Sequence, residues 1–305
     1  MKKLFSLLIL VSLLLSSCTA PESSTDSLSV VSVSFPGYSL AKEILGETAD
    51  VTMLLPLGTE AHGFEPTPKD ILKIQNADVF IYGGGDSEHW VDDILSSLDE
   101  SVTTLAISKV EGISCIMEEH AHPSMFDSHI ETDEHVWLSI PNSVIIIRKL
   151  TEIFKEKSPE NSLIFEENSD TFIKILEELD LEFRTMTENA PRKEIVVGDR
   201  FPFRYLAHEY NINYHSAFPS CSGEAEPSAS KISELTDLVK KNNIPVVFYT
   251  EFSNQKVANI ICENNNAKPM LLHSCHNVSK ADFEAGITYY HLMRTNYLAL
   301  KEALY

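Results

Sequence analysis

The sequence predicts an α/β protein of two βα sandwich lobes, each with a central sheet, joined by one long rigid α-helix. Two patterns carry that prediction. Short β-branched runs alternate with amphipathic helical stretches in both halves of the chain, the signature of parallel βα units. Between the halves lies a stretch with no turn signal in which apolar residues recur at steps of three and four.

The chain opens with Lys2 and Lys3 ahead of an apolar run from Leu4 to Leu15, ending in small polar residues before Cys18. Residues 1–17 therefore read as a signal peptide and not as a fold element. The run is shorter than the about 20 apolar residues a membrane-spanning helix needs. Leu15-Ser16-Ser17-Cys18 resembles a bacterial lipobox, so cleavage before Cys18 leaves a lipidated cysteine on the outer face of the cell membrane. An ordinary secretory signal with an incidental Cys18 is the alternative. Residues 18–27, rich in Ser and Thr, then form a flexible tether.

Residues 28–157 read as the N-terminal lobe. Its strand candidates are Leu28–Phe35, Val51–Leu57, Val79–Tyr82 and Thr103–Ile107, with helices over Tyr38–Leu45, Pro68–Asn76 and Glu88–Leu98. Thr67 suits an N-cap and Pro68 the first helical position, which places Glu60–Pro66 in a loop. Residues 158–190 are the linking helix, opened by Ser158 and Pro159, with Phe172, Ile175, Leu176, Leu179, Phe183 and Met186 on one face. About thirty residues at 1.5 Å each reach about 45 Å, enough to span two lobes. Residues 191–305 resume the alternation with strands Ile195–Val197, Asn213–Ser216, Val246–Thr250 and Met270–Leu272. Helices are expected over Phe203–Tyr210, Ser230–Lys241 and Gln255–Asn264, and a closing helix shows Tyr290, Met293, Tyr297, Leu300 and Leu304 on one face.

The formal net charge is -21. That balance argues against nucleic acid, whose binding needs Lys and Arg against phosphate, and suits a cation-attracting protein outside the cell or simply a solvated acidic surface. After Cys18 the cysteines are Cys115, Cys221, Cys262 and Cys275, too sparse for a disulfide-stapled scaffold and without a CxxC pair for a four-cysteine zinc site. Whether any of them pairs or binds metal stays open.

Histidines mark three places. His62 lies in the loop leaving the Val51–Leu57 strand, where open α/β sheets bind ligands. His135 follows Asp133 and Glu134, acids able to orient an imidazole and raise its basicity. His273 and His276 flank Cys275 at the end of the Met270–Leu272 strand, a donor set suited to zinc. A His-rich loop at 118–133, with His120, His122 and His129, reads as a low-affinity metal collector. Taken singly each histidine is as readily structural. Three such segments converge only if the lobes face one another, which puts a metal site in the interlobe cleft.

With those segments the chain resembles the metal-binding solute-binding proteins of ABC importers, the cluster of zinc- and manganese-binding lipoproteins. The carriers are His62-Gly63-Phe64-Glu65-Pro66-Thr67-Pro68 and Asp133-Glu134-His135-Val136-Trp137-Leu138, supported by Ala77–Gly85, Glu224–Ser228 and Phe248–Glu251. The resemblance implies a non-enzymatic, monomeric protein that captures Zn2+, or less readily Mn2+ or Fe2+, and passes it to a membrane permease. It also implies a third histidine where this chain reads Gly198-Asp199-Arg200-Phe201, with none present. Asp199 then stands in as a carboxylate ligand, or Arg200 fills the vacated place. The expected shell is His62, His135 and His273, with Asp199 or His276 as the fourth ligand and Glu251 behind them. Free imidazole chemistry predicts that affinity falls below about pH 6.5. A secreted zinc hydrolase, with Glu60 or Glu251 activating water, is a competing class, but no HExxH motif supports it. An adhesin would need an exposed apolar patch.

Overall fold

The structure, a computed structural model, describes residues 27–85, 88–119, 130–218, 227–263 and 265–305. Cys18, Cys221 and the collector-loop residues His120, His122 and His129 lie outside the described residues.

The first sheet holds β1 (Leu28–Ser32), β2 (Ala49–Met53), β3 (Val79–Tyr82) and β4 (Thr103–Ala106) in the order β2-β1-β3-β4, all parallel. Parallel neighbours need crossovers. These come from α1 (Phe35–Leu45), α2 (Pro68–Gln75) and α3 (Trp90–Leu95). With helices on both faces the central strands are buried on both sides, which is why β3 reads as an unbroken apolar run and β1 is apolar but for Ser29 and Ser32: Val30, Val79, Phe80 and Ile81 are fully buried. Thr67 caps α2 by accepting from the Asp70 amide, while the Asp70 carboxylate accepts from the Thr67 amide, and Pro68 opens the helix as expected.

A short antiparallel pair, β5 (Met117–Glu119) with β6 (Ile130–Thr132), then leads through a tight 3-10 turn at Val136–Leu138 into α4 (Ile140–Lys157), which Ser139 caps. The long helix is α5 (Ser162–Asn189), 28 residues. Ser158 and Pro159 open the link as expected, but through a 3-10 turn ahead of the α-helix. Ser158 ends α4, Pro159–Asn161 form a 3-10 turn, and Asn161 occupies the cap position. Proline, which cannot donate to the preceding turn, breaks what would otherwise be a continuous helix.

The second sheet contains β7 (Glu194–Val197), β8 (Asn213–Ser216), β9 (Val246–Tyr249) and β10 (Lys268–Leu271) in the order β10-β9-β7-β8, again parallel. Its crossovers are α6 (Arg204–Glu209), α7 (Ala229–Asn242) and α8 (Lys256–Glu263), and α9 (Lys280–Glu284) and α10 (Tyr289–Leu304) close the chain. Read from its other edge, this order repeats the first sheet. In both sheets the chain switches direction beside the first strand, and such switch points form ligand crevices at the carboxyl ends of the strands.

α5 joins the two sheets through one core. Phe165, Phe172, Leu176, Leu179, Phe183 and Met186 are buried on it together with residues of both sheets. Phe183 stacks on Tyr210 at 4.6 Å and meets Tyr297 of α10 edge-on at 5.4 Å. Ile175, placed on this face by the periodicity, is 38% exposed; Ile173 is buried instead.

Candidate metal centre

His62 sits on the loop between β2 and α2, and that loop is pinned from the other half of the chain. The Asn277 side-chain amide donates to the carbonyls of Pro56 at 2.8 Å and Thr59 at 2.9 Å, and the Gly58 amide donates to the Val278 carbonyl. His135 lies just before the 3-10 turn. Its amide donates to Asp133 Oδ1 at 2.8 Å and its Nδ1 lies 2.9 Å from the same oxygen. A carboxylate accepting from Nδ1–H sets the tautomer in which Nε2 carries the lone pair a metal would take. Trp137 next to it donates its indole N–H to the Ser274 carbonyl at 2.9 Å, so the turn carrying His135 is tied to the segment carrying His276.

His276 owes its direction to the turn after β10. Cys275 there has φ +62°, the left-handed region that non-glycine residues rarely occupy. The Ser274 amide donates to Glu251 Oε2 at 2.8 Å, the Ser274 hydroxyl donates to Glu251 Oε1, and the His276 amide donates to the Ser274 hydroxyl at 3.2 Å. The His276 carbonyl accepts from the Phe35 amide at the start of α1.

The three imidazoles form a near-equilateral triangle. Ring centroids are 5.9 Å apart for His62 and His135, 5.5 Å for His62 and His276, and 5.4 Å for His135 and His276, with the rings steeply inclined to one another. Glu134 adds a carboxylate, its Oε1 3.5 Å from His62 Nδ1. One donor atom from each of His62, Glu134, His135 and His276 lies within 4.8 Å of the others. Ligands about 2.0–2.1 Å from a tetrahedral zinc are about 3.4 Å apart, so modest side-chain rotation closes this set on an ion. Glu134 fits where it does because Gly85 has no side chain: a Cβ there would come within 2.2 Å of Glu134 Oε2.

Burial tunes these groups. His62 is held down to about 3, first by burial and then by facing His135 and Arg200. Burial, with His135 and His62 nearby, also holds His276 well below the ordinary imidazole value. Both imidazoles are therefore neutral and metal-competent well below pH 6.5, contrary to what free imidazole chemistry predicts. Behind Glu134 the carboxyl of Glu88 is pushed up to about 8 by burial and by Glu134, even though the Gly84 amide donates to it at 3.0 Å.

The remaining expected ligands are placed otherwise. His273 is buried but lies outside the group of four: its amide donates to Asn296 Oδ1 at 2.7 Å, its carbonyl accepts from Asn296 Nδ2 at 2.8 Å, and its Nδ1 accepts from the Cys275 amide at 2.9 Å. The Asp199 carboxylate is likewise outside the group, accepting from the Arg200 and Thr250 amides and the Thr250 hydroxyl. Glu251 holds Ser274, as described. Cys275 is a buried free thiol, pushed far above its ordinary value by burial, which disfavours a thiolate ligand. Cys115 and Cys262 are also free. The sequence offers Glu134 only as a neighbour that orients His135; its position directly before that histidine is the one signal it carries. Asp199 and Arg200, with Glu60, Phe252 and Asn254, line a cleft of about 250 Å³ that opens onto His62, His135 and His276.

Residues 30–303 match the family profile described as zinc-uptake complex component A, periplasmic. The chain is 32% identical over 310 residues to the zinc-binding lipoprotein AdcA of Streptococcus pneumoniae (strain R6), an alignment covering 99% of this chain and 61% of the relative. It is 32% identical over 288 residues to the high-affinity zinc uptake system protein ZnuA of Bacillus subtilis, covering 93% and 89%. The chain thus spans only 61% of the length of the pneumococcal relative. The crystal structure of the Zn(II)-bound ZnuA-like domain of S. pneumoniae AdcA superposes with a TM-score of 0.76 at 30% identity, covering 91% of this chain and 99% of that one. The metal-dependent lipoprotein YcdH of B. subtilis gives 0.77 at 31% identity, with the same coverage of 91% and 99%. No helix among the described residues is long and apolar enough to cross a membrane.

Proposed function

This chain belongs to the zinc-uptake complex component A family, and from that premise we propose that it captures zinc outside the cytoplasm and delivers it to the membrane permease of an ABC importer. The observation that carries the reading is the convergence of His62, His135, His276 and Glu134 within 4.8 Å. Three imidazole nitrogens and one carboxylate suit four-coordinate zinc, whereas manganese prefers more oxygen donors in octahedral geometry. We take these four as the ligands, with Asp133 and Glu251 as their supports. The lipobox reading places the protein on the outer face of the membrane through Cys18, with residues 18–27 as tether. Residues 28–157 and 191–305 then serve as lobes, and 158–190 as the rigid link. A continuous helix hinges poorly, so loading and release proceed by loop rearrangement and small shifts.

Elemental analysis of the purified chain, with competition titration of zinc against manganese, tests this. One zinc per chain, undisplaced by equimolar manganese, is expected, and His62→Ala and His135→Ala should each abolish tight binding. Tight binding that survives in the double variant would refute the ligand placement.

A further inference from the structure

The segment following β7 faces the cleft yet gives no donor atom to the group of four. Just beyond it, at the start of α6, two residues reach the other half of the chain. Arg204 Nε lies 3.7 Å from Asp133 Oδ2, and Asp133 is almost wholly buried, with Oδ1 already engaged by the amide and Nδ1 of His135. Tyr205, also buried, accepts from the Ile116 amide at 3.0 Å and donates its hydroxyl to the Asp133 carbonyl at 3.1 Å. Neighbouring residues of one helix thus hold both the carboxylate and the backbone of the residue that orients His135.

We infer that Arg204 is a positioning residue of the metal centre, fixing the Asp133 carboxylate and, through it, the His135 imidazole. The C-terminal half then contributes to metal affinity across the interface without placing a ligand where the third histidine was expected. The inference rests on the ligand set proposed above.

The physical case is one of constraint. Oδ1 alone would leave the carboxylate able to pivot about its bond to the imidazole; charge attraction at Oδ2 removes that freedom. Outer partners of metal-bound imidazoles change affinity by about 10–100-fold. The 3.7 Å approach is a charge contact and not a two-pronged guanidinium fork, so a lysine can replace it. Arg204 is held from its other side by Nη1 donating to the Tyr214 hydroxyl at 3.0 Å, and its side chain is 18% exposed, so its loss opens no cavity deep in the core.

The test compares zinc affinity, by competition with a chromophoric chelator, in the full chain and its Arg204→Met, Arg204→Lys, Asp133→Asn and Arg204→Met/Asp133→Asn variants. Absorption of bound Co2+ reports the ligand field directly. Expected are a loss of about tenfold in Arg204→Met with altered cobalt bands, recovery to within about twofold of wild type in Arg204→Lys, and less than about twofold further loss when Arg204→Met is added to Asp133→Asn. The inference is overturned if Arg204→Met binds as wild type, if lysine fails to restore binding, or if the loss is as large without the Asp133 charge. Wild-type chain that takes up no zinc at all would instead overturn the proposed function, and the inference with it.

Discussion

His273 and His276 stand three residues apart at the end of one strand, and only His276 faces the other imidazoles. Sequence spacing placed both at the site, because each follows β10 and each is a histidine. What separates them is the left-handed turn at Cys275 and two long-range anchors, Asn296 on His273 and the Phe35 amide on the His276 carbonyl. A non-glycine residue in that conformation carries no local signal, so the direction of the two side chains was illegible. His62 and His135 were legible because each sits in a distinctive local pattern, a capped loop and an acid-led turn. Glu134 is half legible: its charge beside His135 is plain in the sequence, but its approach to the imidazoles depends on Gly85 leaving room. The distinction is testable. His276→Ala should lose zinc affinity by more than the about 10–100-fold typical of supporting residues. His273→Ala should keep tight zinc binding and lower unfolding stability by about 1–3 kcal/mol, because the Cys275 amide loses its buried acceptor, while the Asn296 bonds to the residue-273 backbone persist. Titration and urea denaturation read the two effects, and the reverse pattern would return His273 to the shell.

At the scale of elements, the eight parallel strands fall where the sequence predicts them, with ends shifted by a few residues in either direction. The central strands β3, β7 and β9 are the most legible, because burial on both faces forces apolar composition there, whereas the edge strand β8, Asn213–Ser216, is polar and half exposed. The β5–β6 pair was not foreseen, since strands of three residues are too short to show a period. The long helix is legible in its stripe, but the periodicity puts Ile175 on the covered face and the structure leaves it 38% exposed. A stripe read at steps of three and four tolerates a neighbour about 100° away, and only packing against α4, α1 and α10 decides which neighbour is covered. Phe183→Ala should therefore cost about 3–5 kcal/mol by removing the ring stacked on Tyr210 and edge-on to Tyr297. Ile175→Ala should stay within about 0.5 kcal/mol, as surface substitutions do. Chemical denaturation of the two variants gives the comparison; equal losses would mean that the stripe does run through Ile175.

In the whole molecule, two halves of the same wiring put the carboxyl ends of their sheets on a common cleft, and the site gathers donors from segments more than two hundred residues apart. Gathering them without metal stores an imbalance that shows in the pH dependence of folding. His62 titrates near its ordinary 6.5 when unfolded and at about 3 when folded. Between those values the unfolded chain binds the extra proton, so this stability is present above pH 6.5 and is lost as pH falls toward 3. His276 acts in the same direction. Glu88 does the opposite: its ordinary value is 4.5 and its folded value about 8, so between them the folded chain holds the extra proton. That stability is present below pH 4.5 and is lost as pH rises toward 8. The metal-free protein should be most stable in mildly acid solution and weaken on both sides. Glu88→Gln, which keeps the shape and removes the ionisable proton, should flatten the alkaline arm and steepen the acid one above pH 4.5. Urea midpoints of metal-free Glu88→Gln are expected to hold level between pH 6.5 and 8, where those of the wild type decline, and to fall more steeply than the wild type's between pH 6.5 and 4.5, where proton uptake by Glu88 partly offsets the histidine loss. Parallel curves across the alkaline arm would show that Glu88 is ionised in the folded chain at neutral pH, and that the carboxyl pair with Glu134 is held by some other compensation.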